Sequence, residues 1–190
     1  MKLSLTSLLG PVVVGPIVVG PVVCAAVVGA LAVPAHAAPA APEVPSTLVP
    51  PAGNQVFLEA HATGVQIYRC DAATGAWTLV APRANLYADN GQLIGTHFGG
   101  PTWRARDGSY VTATKVDEVN LDPTAVNWLL LAMKTRSAGA DGDRLAATTY
   151  IQRTATTGGR APAASECDVT GEIAEIAYTA DYHFWKATVA

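Results

Sequence analysis

The sequence predicts an all-β protein, an antiparallel β-sandwich or barrel that forms a single domain. Three observations support this fold class. Short runs rich in Val, Thr, Ile and aromatic residues recur along the chain, turns containing Gly, Asn, Asp or Pro separate them, and the 3.6-residue periodicity of an amphipathic helix is not found beyond the N-terminal segment. Such runs are typical of antiparallel sheets. At 190 residues the chain has the length of one domain of ordinary size.

The first 37 residues predict a secretory signal peptide. Lys2 is their only charged side chain, a long apolar stretch follows, and residues 35–37 (AHA) give the small-x-small pattern of a cleavage site. We expect cleavage after Ala37, an extracytoplasmic protein, and no stable membrane span after cleavage. Two alternatives stay open. The apolar stretch is long enough to be kept as an anchor, and Cys24 invites lipid attachment, although Val23 precedes it where a small residue is needed.

Residues 38–53 (APAAPEVPSTLVPPAG) are rich in Pro and Ala and predict an extended arm outside the core. The all-β domain then occupies residues 54–190. Its first elements are a short edge strand over residues 56–60 and a β-rich strand over residues 65–70, which is bounded by turn residues on both sides. Residues 77–80 follow at hairpin distance, so we expect them to pair with that strand and to end before Pro82.

The segment 95–116 (GTHFGGPTWRARDGSYVTATKV) is the densest concentration of turn residues, aromatics and charges. Asp107-Gly108 favours a two-residue hairpin turn, because both central positions of that turn need a positive φ. This register places Trp103 opposite Thr112 and Arg104 opposite Val111. The predicted apolar face carries Trp103, Ala105, Tyr110 and Thr112, and the predicted polar face carries Arg104, Arg106, Ser109 and Val111.

The later elements are read in the same way. Residues 117–127 predict a polar loop, and residues 128–133 (WLLLAM) predict either a strand buried on both faces or a short buried helix. Residues 145–154 resume strand character. In the last run, residues 178–185, alternation places Tyr178, Ala180, Tyr182 and Phe184 on one face, and Thr179, Asp181, His183 and Trp185 on the other.

The three cysteines and the net charge limit the chemistry. Cys24 would leave with the signal, so Cys70 and Cys167 most simply form one disulfide in an exported protein, the alternative being two unpaired buried thiols. The net charge is −3, and removal of Lys2 makes it one unit more negative. Without a basic run the chain lacks the charge that neutralises phosphates, so we predict no nucleic-acid partner.

Several segments carry a family resemblance. In chain order they are residues 64–70 (GVQIYRC), His97 with residues 100–103 (GPTW), residues 107–109 (DGS), 128–131 (WLLL), 150–153 (YIQR) and 178–182 (YTADY). Together they resemble the DUF3455 family, exported proteins of bacteria and fungi with no established function. The resemblance implies an all-β fold over the whole mature domain and supplies no catalytic residue. His183 stands where the family is expected to have an aromatic, which argues against a family-wide role for it.

The sequence predicts no cofactor and no metal site. Some fungal members of the family carry a malate dehydrogenase label, but this chain has no GxGxxG between a strand and a helix to hold a dinucleotide. The mature histidines are His61, His97 and His183, and none of their spacings matches HxH, HxxxH or HExxH. Because tetrahedral sites usually include one such local pair, we expect no bound metal.

His97 is the candidate catalytic residue and the centre of the candidate binding site. It lies in a Gly-rich segment with Trp103 and Asp107 close in sequence, and an imidazole near neutral pKa can act as a general acid or base. Tyr68 and Trp103 would add aromatic surface for a carbohydrate or another small molecule. The alternatives are that His97 only bonds backbone groups, that Asp107 only shapes its turn, and that the aromatics belong to the core.

Three functions follow from these candidates. The first is an exported binding or surface-interaction module without catalysis, with its site beside His97 and Trp103. The second is an enzyme that uses His97 as acid or base on a small-molecule or carbohydrate substrate. The third is a structural protein of the envelope.

Overall fold

The computed structural model describes residues 10, 11, 15 and 39–188. The predicted signal peptide, residues 1–37, lies almost wholly outside the described residues and stays a prediction. Residues 1–35 and 36–190 are separate units, and all of the secondary structure described below belongs to the second. Within the described part of the chain, no helix is long and apolar enough to cross a membrane.

The fold is a closed antiparallel barrel. The all-β prediction is confirmed, and of the two predicted architectures, sandwich and barrel, the barrel is correct. Each strand pairs with its neighbour in sequence, and the last strand returns to pair with the first. The strands are β1 (Asn54–Asp71), β2 (Ala76–Tyr87), β3 (Leu93–Phe98), β4 (Thr102–Ala105), β5 (Tyr110–Val119), β6 (Trp128–Ser137), β7 (Thr148–Gly158) and β8 (Ile173–Ala187), with short 3-10 turns at Ser46–Leu48 and Ala164–Glu166.

Several strand boundaries differ from the sequence expectations: β5 extends to Val119, into the predicted loop 117–127, and β7 runs from Thr148 to Gly158 instead of over residues 145–154. The segments predicted as separate strands before and after Gly64 form one 18-residue strand, β1. Gly64 lies inside this strand, at a point where the backbones of β1 and β2 are close together. A Cβ on Gly64 would lie 2.1 Å from the carbonyl oxygen of Arg83, so a residue with a side chain would not fit there. Pro82 does not end β2. It lies opposite Gln66 of β1, and the pairing of β2 with β3 begins only at the next residue, Arg83. Proline is tolerated in a strand where one side is not paired.

The β4–β5 hairpin exists, but the predicted register is wrong by one residue. Trp103 is opposite Val111, and the backbone N–H of Gly108 donates to the carbonyl oxygen of Ala105, which makes a three-residue loop with Gly108 at φ +83°. A shift of one residue exchanges the two faces of a strand. Val111 is therefore inside the barrel, whereas Tyr110 is outside, beneath the guanidinium of Arg104.

The core fills the barrel, and the predicted inner face of β8 is confirmed. Large aromatic side chains from β4 and β8 occupy the centre, and small residues line the strands opposite them. Close-packed interiors need such alternation of large and small side chains. The buried residues include Ala60, Ala62, Ala84, Leu86, Ile94, Trp103, Val111, Ile151, Tyr178, Ala180, Tyr182 and Phe184. The run 128–133 is a strand, β6, and not a helix.

Both ends of the barrel are covered by loops. At the end where the β4–β5 turn lies, here called the Asp107 end, Leu145 from the β6–β7 loop is 2% exposed and joins the core. At the opposite end, here called the Arg153 end, the segment after β7 turns back across the barrel and reaches Cys167. The predicted disulfide is confirmed: Cys70, near the end of β1, is bonded to Cys167.

The segment before β1 packs on the barrel's outer surface through two buried residues, Leu48 and Pro50. Leu48 is fully buried, and its carbonyl oxygen accepts a hydrogen bond of 2.7 Å from Nε2 of Gln152 on β7. Oε1 of Gln152 in turn accepts from Nε1 of Trp185 on β8. The assignment of residues 38–53 to an extended arm stays a prediction; Leu48 is buried, but it is not part of the core cluster inside the barrel.

Candidate functional site

His97 and Trp103 lie side by side in the barrel interior. They are directly paired across β3 and β4, and their rings stack with centroids 4.2 Å apart and planes inclined by 12°. Tyr182 of β8 meets both rings edge-on. His97 is only 3% exposed, and its Nδ1–H donates to the carbonyl oxygen of Thr102 at 2.9 Å. The segment thus forms a packed aromatic cluster, not an open loop.

Burial changes the acid–base properties of His97. Desolvation lowers its pKa to about 3, although the hydrogen bond to the Thr102 carbonyl acts in the opposite direction and Arg153 adds to the lowering. At neutral pH the imidazole is therefore uncharged. A general acid or base needs a pKa near the working pH and access to its substrate, and this side chain has neither property.

Asp107 organises the loops at its own end of the barrel. Its Oδ1 accepts hydrogen bonds from the backbone N–H and the hydroxyl of Ser109, and its Oδ2 accepts from the backbone N–H of Arg144. Partial burial alone would raise its pKa, but these hydrogen bonds together lower it. The Ser109 hydroxyl oxygen then accepts from the N–H of Leu145. Asp107 thereby fixes the loop that places Leu145 in the core.

Tyr68 lies at the Arg153 end, within a cavity of about 430 Å³. Its hydroxyl donates to the carbonyl oxygen of Gly159 at 2.7 Å. Of the four predicted binding residues, the structure brings together His97 and Trp103, places Tyr68 in a separate cavity, and places Asp107 at the opposite end of the barrel. The polar side chains around the cavity are Tyr68, Glu118, Asn127, Arg153 and Arg160.

Arg153 is the central cation of this cavity. Its Nε and Nη2 donate to the carbonyl oxygen of Asn127 at 3.0 and 2.7 Å. The carboxylate of Glu118 is nearby, but it accepts hydrogen bonds from Lys115 and from the amide of Asn127, which lower the pKa of that carboxyl. Among the described residues, neither Arg153 nor Arg160 forms an ion pair with a carboxylate.

A second polar cluster lies on the outside of the barrel, where the first and last strands meet. Glu59 and His61 of β1 are directly opposite His183 and Asp181 of β8, respectively. We call these four residues the β1–β8 wall. Cross-strand partners share a face of the sheet, and alternate residues of one strand do so as well. Two histidines and two carboxylates are therefore gathered on one small area.

The two histidines of the wall have different surroundings. His61 Nδ1 is 2.6 Å from Oδ1 of Asp181, and its Nε2 is 3.0 Å from Oδ1 of Asp89. The hydrogen bond to Asp181 raises the pKa of His61; partial burial opposes this, and Asp89 adds to the rise. Desolvation lowers the pKa of His183, against the attraction of Glu59. His183 is 5% exposed, and its Nδ1 has no hydrogen-bond partner among the described residues.

Sequence reasoning did not identify the β1–β8 wall. Its residues form two short patterns, Glu59-x-His61 and Asp181-x-His183, which lie far apart in the chain. Spacing of two on a strand puts both side chains of each pattern on one face, so each pattern was a usable signal. Only the closure of the barrel through the β1–β8 pair shows that the two patterns meet.

Comparisons with known proteins identify the family and supply no function. A family model described as "Protein of unknown function (DUF3455)" matches residues 51–186, which is most of the chain. No curated protein matches the chain, and no solved structure matches it. The resemblance seen in the sequence motifs is thereby confirmed, and the chain belongs to the DUF3455 family.

Proposed function

We propose that this protein is an exported binding module that takes a small anionic molecule into the cavity at the Arg153 end of the barrel. The observation that carries the proposal is the presence of two arginines, Arg153 and Arg160, in one polar cavity without a carboxylate bound to either among the described residues. A cavity of about 430 Å³ is of the size that small-molecule sites have.

The guanidinium of Arg153 is already positioned for binding. Its two bonds to the Asn127 carbonyl fix the plane of the group while leaving it half-buried. A planar cation fixed in this way pairs with carboxylate or phosphate oxygens through two parallel hydrogen bonds. Because Glu118 is engaged by Lys115 and Asn127, an incoming anion does not have to displace it.

A buried amide side chain lies next to the hydrogen bond that Tyr68 makes. The carbonyl oxygen of Gly159 accepts the hydrogen bond from the Tyr68 hydroxyl. Gly159 also packs against the interior side chain of Gln66, because a Cβ on Gly159 would lie 3.1 Å from Gln66 Cγ. Nε2 of Gln66 is buried and has no partner among the described residues. Buried amide donors are nearly always satisfied in native proteins. Tyr68 belongs to the proposed site because its side chain lines this cavity, whereas His97 and Trp103 are buried in the barrel interior.

Export is part of the proposal. The confirmed Cys70–Cys167 disulfide is compatible with an oxidising compartment outside the cytoplasm, and the predicted signal peptide agrees with it. No observation favours the enzyme that uses His97, because the imidazole is buried and uncharged at neutral pH. A neutral carbohydrate would form no charge-assisted hydrogen bond with both partners ionised to either arginine.

The test is a thermal-shift and calorimetric titration of the purified protein with inorganic phosphate, citrate, glucose 6-phosphate and glucose. A ligand that binds only the folded state raises the melting temperature through the factor RT ln(1 + [L]/Kd). We expect an effect from at least one anion and none from glucose. We expect Arg160→Gln, which changes an exposed side chain, to weaken the effect by about tenfold, as the loss of one charged hydrogen bond predicts.

Arg106→Gln is the matched control, since Arg106 is exposed at the opposite end of the barrel. It should leave anion binding unchanged. Equal weakening by Arg106→Gln and Arg160→Gln would show a general charge effect and contradict the proposal. Stabilisation by glucose equal to that by glucose 6-phosphate would instead support a neutral carbohydrate ligand.

A further inference from the structure

We propose that the β1–β8 wall is a binding site for one divalent transition-metal ion of the Zn²⁺ type, held by Glu59, His61, Asp181 and His183. This site is on the outer surface of the barrel and is independent of the cavity at the Arg153 end. Three features of the described residues support it: the convergence of donor atoms, the orientation of both imidazole rings, and an unpartnered buried nitrogen.

Donor atoms converge because of strand register. Ligand atoms of Glu59, His61 and Asp181 all lie within 4.8 Å of one another. His183 adds a fourth, since its Nδ1 is 3.9 Å from Oε1 of Glu59. The four side chains come from directly paired positions of two hydrogen-bonded strands. A rigid sheet therefore sets their spacing, which is the support that a precise metal site requires.

The imidazole rings are oriented as metal ligands are. In both rings Nδ1 faces a carboxylate of the wall, and Nε2 has an oxygen partner outside the wall. For His61 that partner is Oδ1 of Asp89, at 3.0 Å. For His183 it is Oγ1 of Thr154, also at 3.0 Å. Histidines that bind metals almost always use their second nitrogen for such a hydrogen bond, which fixes the tautomer and the ring plane. Asp89 and Thr154 are thus the positioning residues of the site.

The nitrogen of His183 supplies independent support for a ligand. The side chain of His183 is 6% exposed, and Nδ1 is buried without a hydrogen-bond partner among the described residues. A buried polar atom without a partner destabilises a protein by about 1–3 kcal/mol. The 3.9 Å separation from Glu59 is too long for a hydrogen bond. A cation between these two groups would satisfy both.

The donor set selects the class of metal. Two imidazole nitrogens and two carboxylate oxygens suit Zn²⁺ and, by the same preference, Co²⁺ or Ni²⁺. Ca²⁺ and Mg²⁺ prefer sites made of oxygen ligands alone. Coordination at Nδ1 of His61 replaces its present contact with Asp181. The proton that this nitrogen shares with the carboxylate leaves to solvent when the metal binds.

This inference differs from the expectation of no metal site, which relied on histidine spacings within one segment. The ligands come instead in two Glu/Asp-x-His patterns on different strands. The family resemblance implies an aromatic where this chain has His183, so the proposal is made for this chain alone.

The test is calorimetric titration of the full chain, purified without a polyhistidine tag and treated with EDTA, against Zn²⁺, Co²⁺, Ca²⁺ and Mg²⁺. Visible spectroscopy of the Co²⁺ complex reports coordination directly. The variants are Glu59→Gln and His61→Gln, which alter partly exposed side chains, together with His183→Gln and Asp89→Asn. Glu175→Gln is the matched control, because Glu175 is also on β8 and, among the described residues, its ion pair is with Arg83 and not with the wall.

We expect one equivalent of Zn²⁺ to bind, and Co²⁺ to give the strong visible absorption of a four-coordinate ion. We expect His61→Gln and Glu59→Gln each to weaken Zn²⁺ binding by more than tenfold and to abolish the Co²⁺ absorption. Asp89→Asn should weaken Zn²⁺ binding by about tenfold, because it weakens the hydrogen bond at Nε2 that orients the His61 ring. Glu175→Gln should change nothing. His183→Gln is interpreted only if its melting curve shows a folded protein.

Three results would overturn the proposal. The first is no binding of Zn²⁺ or Co²⁺ at micromolar concentration. The second is Zn²⁺ affinity that is unchanged in both His61→Gln and Glu59→Gln, which would place any bound metal elsewhere on the chain. The third is binding of Ca²⁺ or Mg²⁺ in preference to Zn²⁺, because the histidines would then take no part.

Discussion

His97 and His183 are both buried histidines, yet their surroundings differ in kind. His97 is inside the barrel, where its ring stacks on Trp103 and its Nδ1 donates to a backbone carbonyl. His183 is on the outer surface, buried among charged neighbours, with Nδ1 unpartnered among the described residues. Packing and one hydrogen bond account for the interior histidine. The exterior one is explained only when a ligand completes its surroundings, so a conspicuous sequence neighbourhood and a functional site need not coincide.

The largest expected effect is that of Trp103→Ala, which removes the centre of the interior aromatic cluster. Trp103 is 1% exposed and contacts His97, Tyr182 and Phe184. Truncation of a buried aromatic costs about 3–5 kcal/mol of unfolding free energy. Urea denaturation measures this quantity. Phe98→Ala, at a neighbouring residue that is 37% exposed, is the control and should cost much less. Equal losses would mean that the interior is not the stabilising centre.

A second prediction concerns the pH dependence of stability set by His97. Its pKa is near 6.5 when the chain is unfolded and about 3 in the folded protein. Between these values the unfolded state binds the additional proton, so this residue lowers the stability as the pH falls from about 6.5 to about 3. The slope is about 1.4 kcal/mol per pH unit. We expect His97→Phe, which preserves the stacked ring, to remove this slope in denaturation measured across the range. An unchanged slope would show that His97 is not the titrating group.

The third prediction tests whether Asp107 has a structural role or a binding role. Asp107→Ala removes the acceptors that hold Ser109 and the backbone of Arg144. We expect a loss of about 1–2 kcal/mol of unfolding free energy and faster amide exchange at Leu145, whose N–H is held through Ser109. Zn²⁺ binding at the β1–β8 wall and anion binding at the Arg153 end should be unaffected. A loss of either would bring Asp107 back as a binding residue.

The smallest expected effect on stability is that of His61→Gln in metal-free buffer. The side chain of His61 is 44% exposed, and exposed ion pairs contribute only about 0–1 kcal/mol. Thermal melting with EDTA present should therefore resemble that of the unmodified protein, and the difference should emerge when Zn²⁺ is added. A large destabilisation without metal would indicate that the wall serves stability and would weaken the contrast with the interior.

The sequence was sufficient for the fold class, the disulfide and the inner face of β8, because these depend on local alternation and on the number of cysteines. It was insufficient for the β4–β5 register. Asp107-Gly108 fits a two-residue turn and also a three-residue loop with Gly108 in the left-handed region, and only the packing of Val111 against the core distinguishes them. One residue of difference reversed the expected positions of Tyr110 and Val111.

The candidate sites were harder to predict for a related reason. His97 stands out in the sequence because glycines and aromatics surround it, and the same residues are what bury it. Arg153 is on β7 and Tyr68 is on β1, two strands that β8 separates in the closed barrel, yet both side chains line one cavity. His61 and Asp181 are 120 residues apart. Sites that depend on long-range strand pairing leave no local pattern beyond the spacing of two on each strand.

The pairing of β1 with β8 also sets an order of events during folding. β8 is the last strand to be synthesised, and both of its neighbours, β1 and β7, keep an open edge until it arrives. Contacts between distant parts of a chain form slowly, and open edges expose such intermediates to aggregation. Glu59 and His61 meet His183 and Asp181 only when β8 has paired with β1. Metal bound at the wall would therefore be acquired by chains that have finished folding, and it would hold the first and last strands together at the seam.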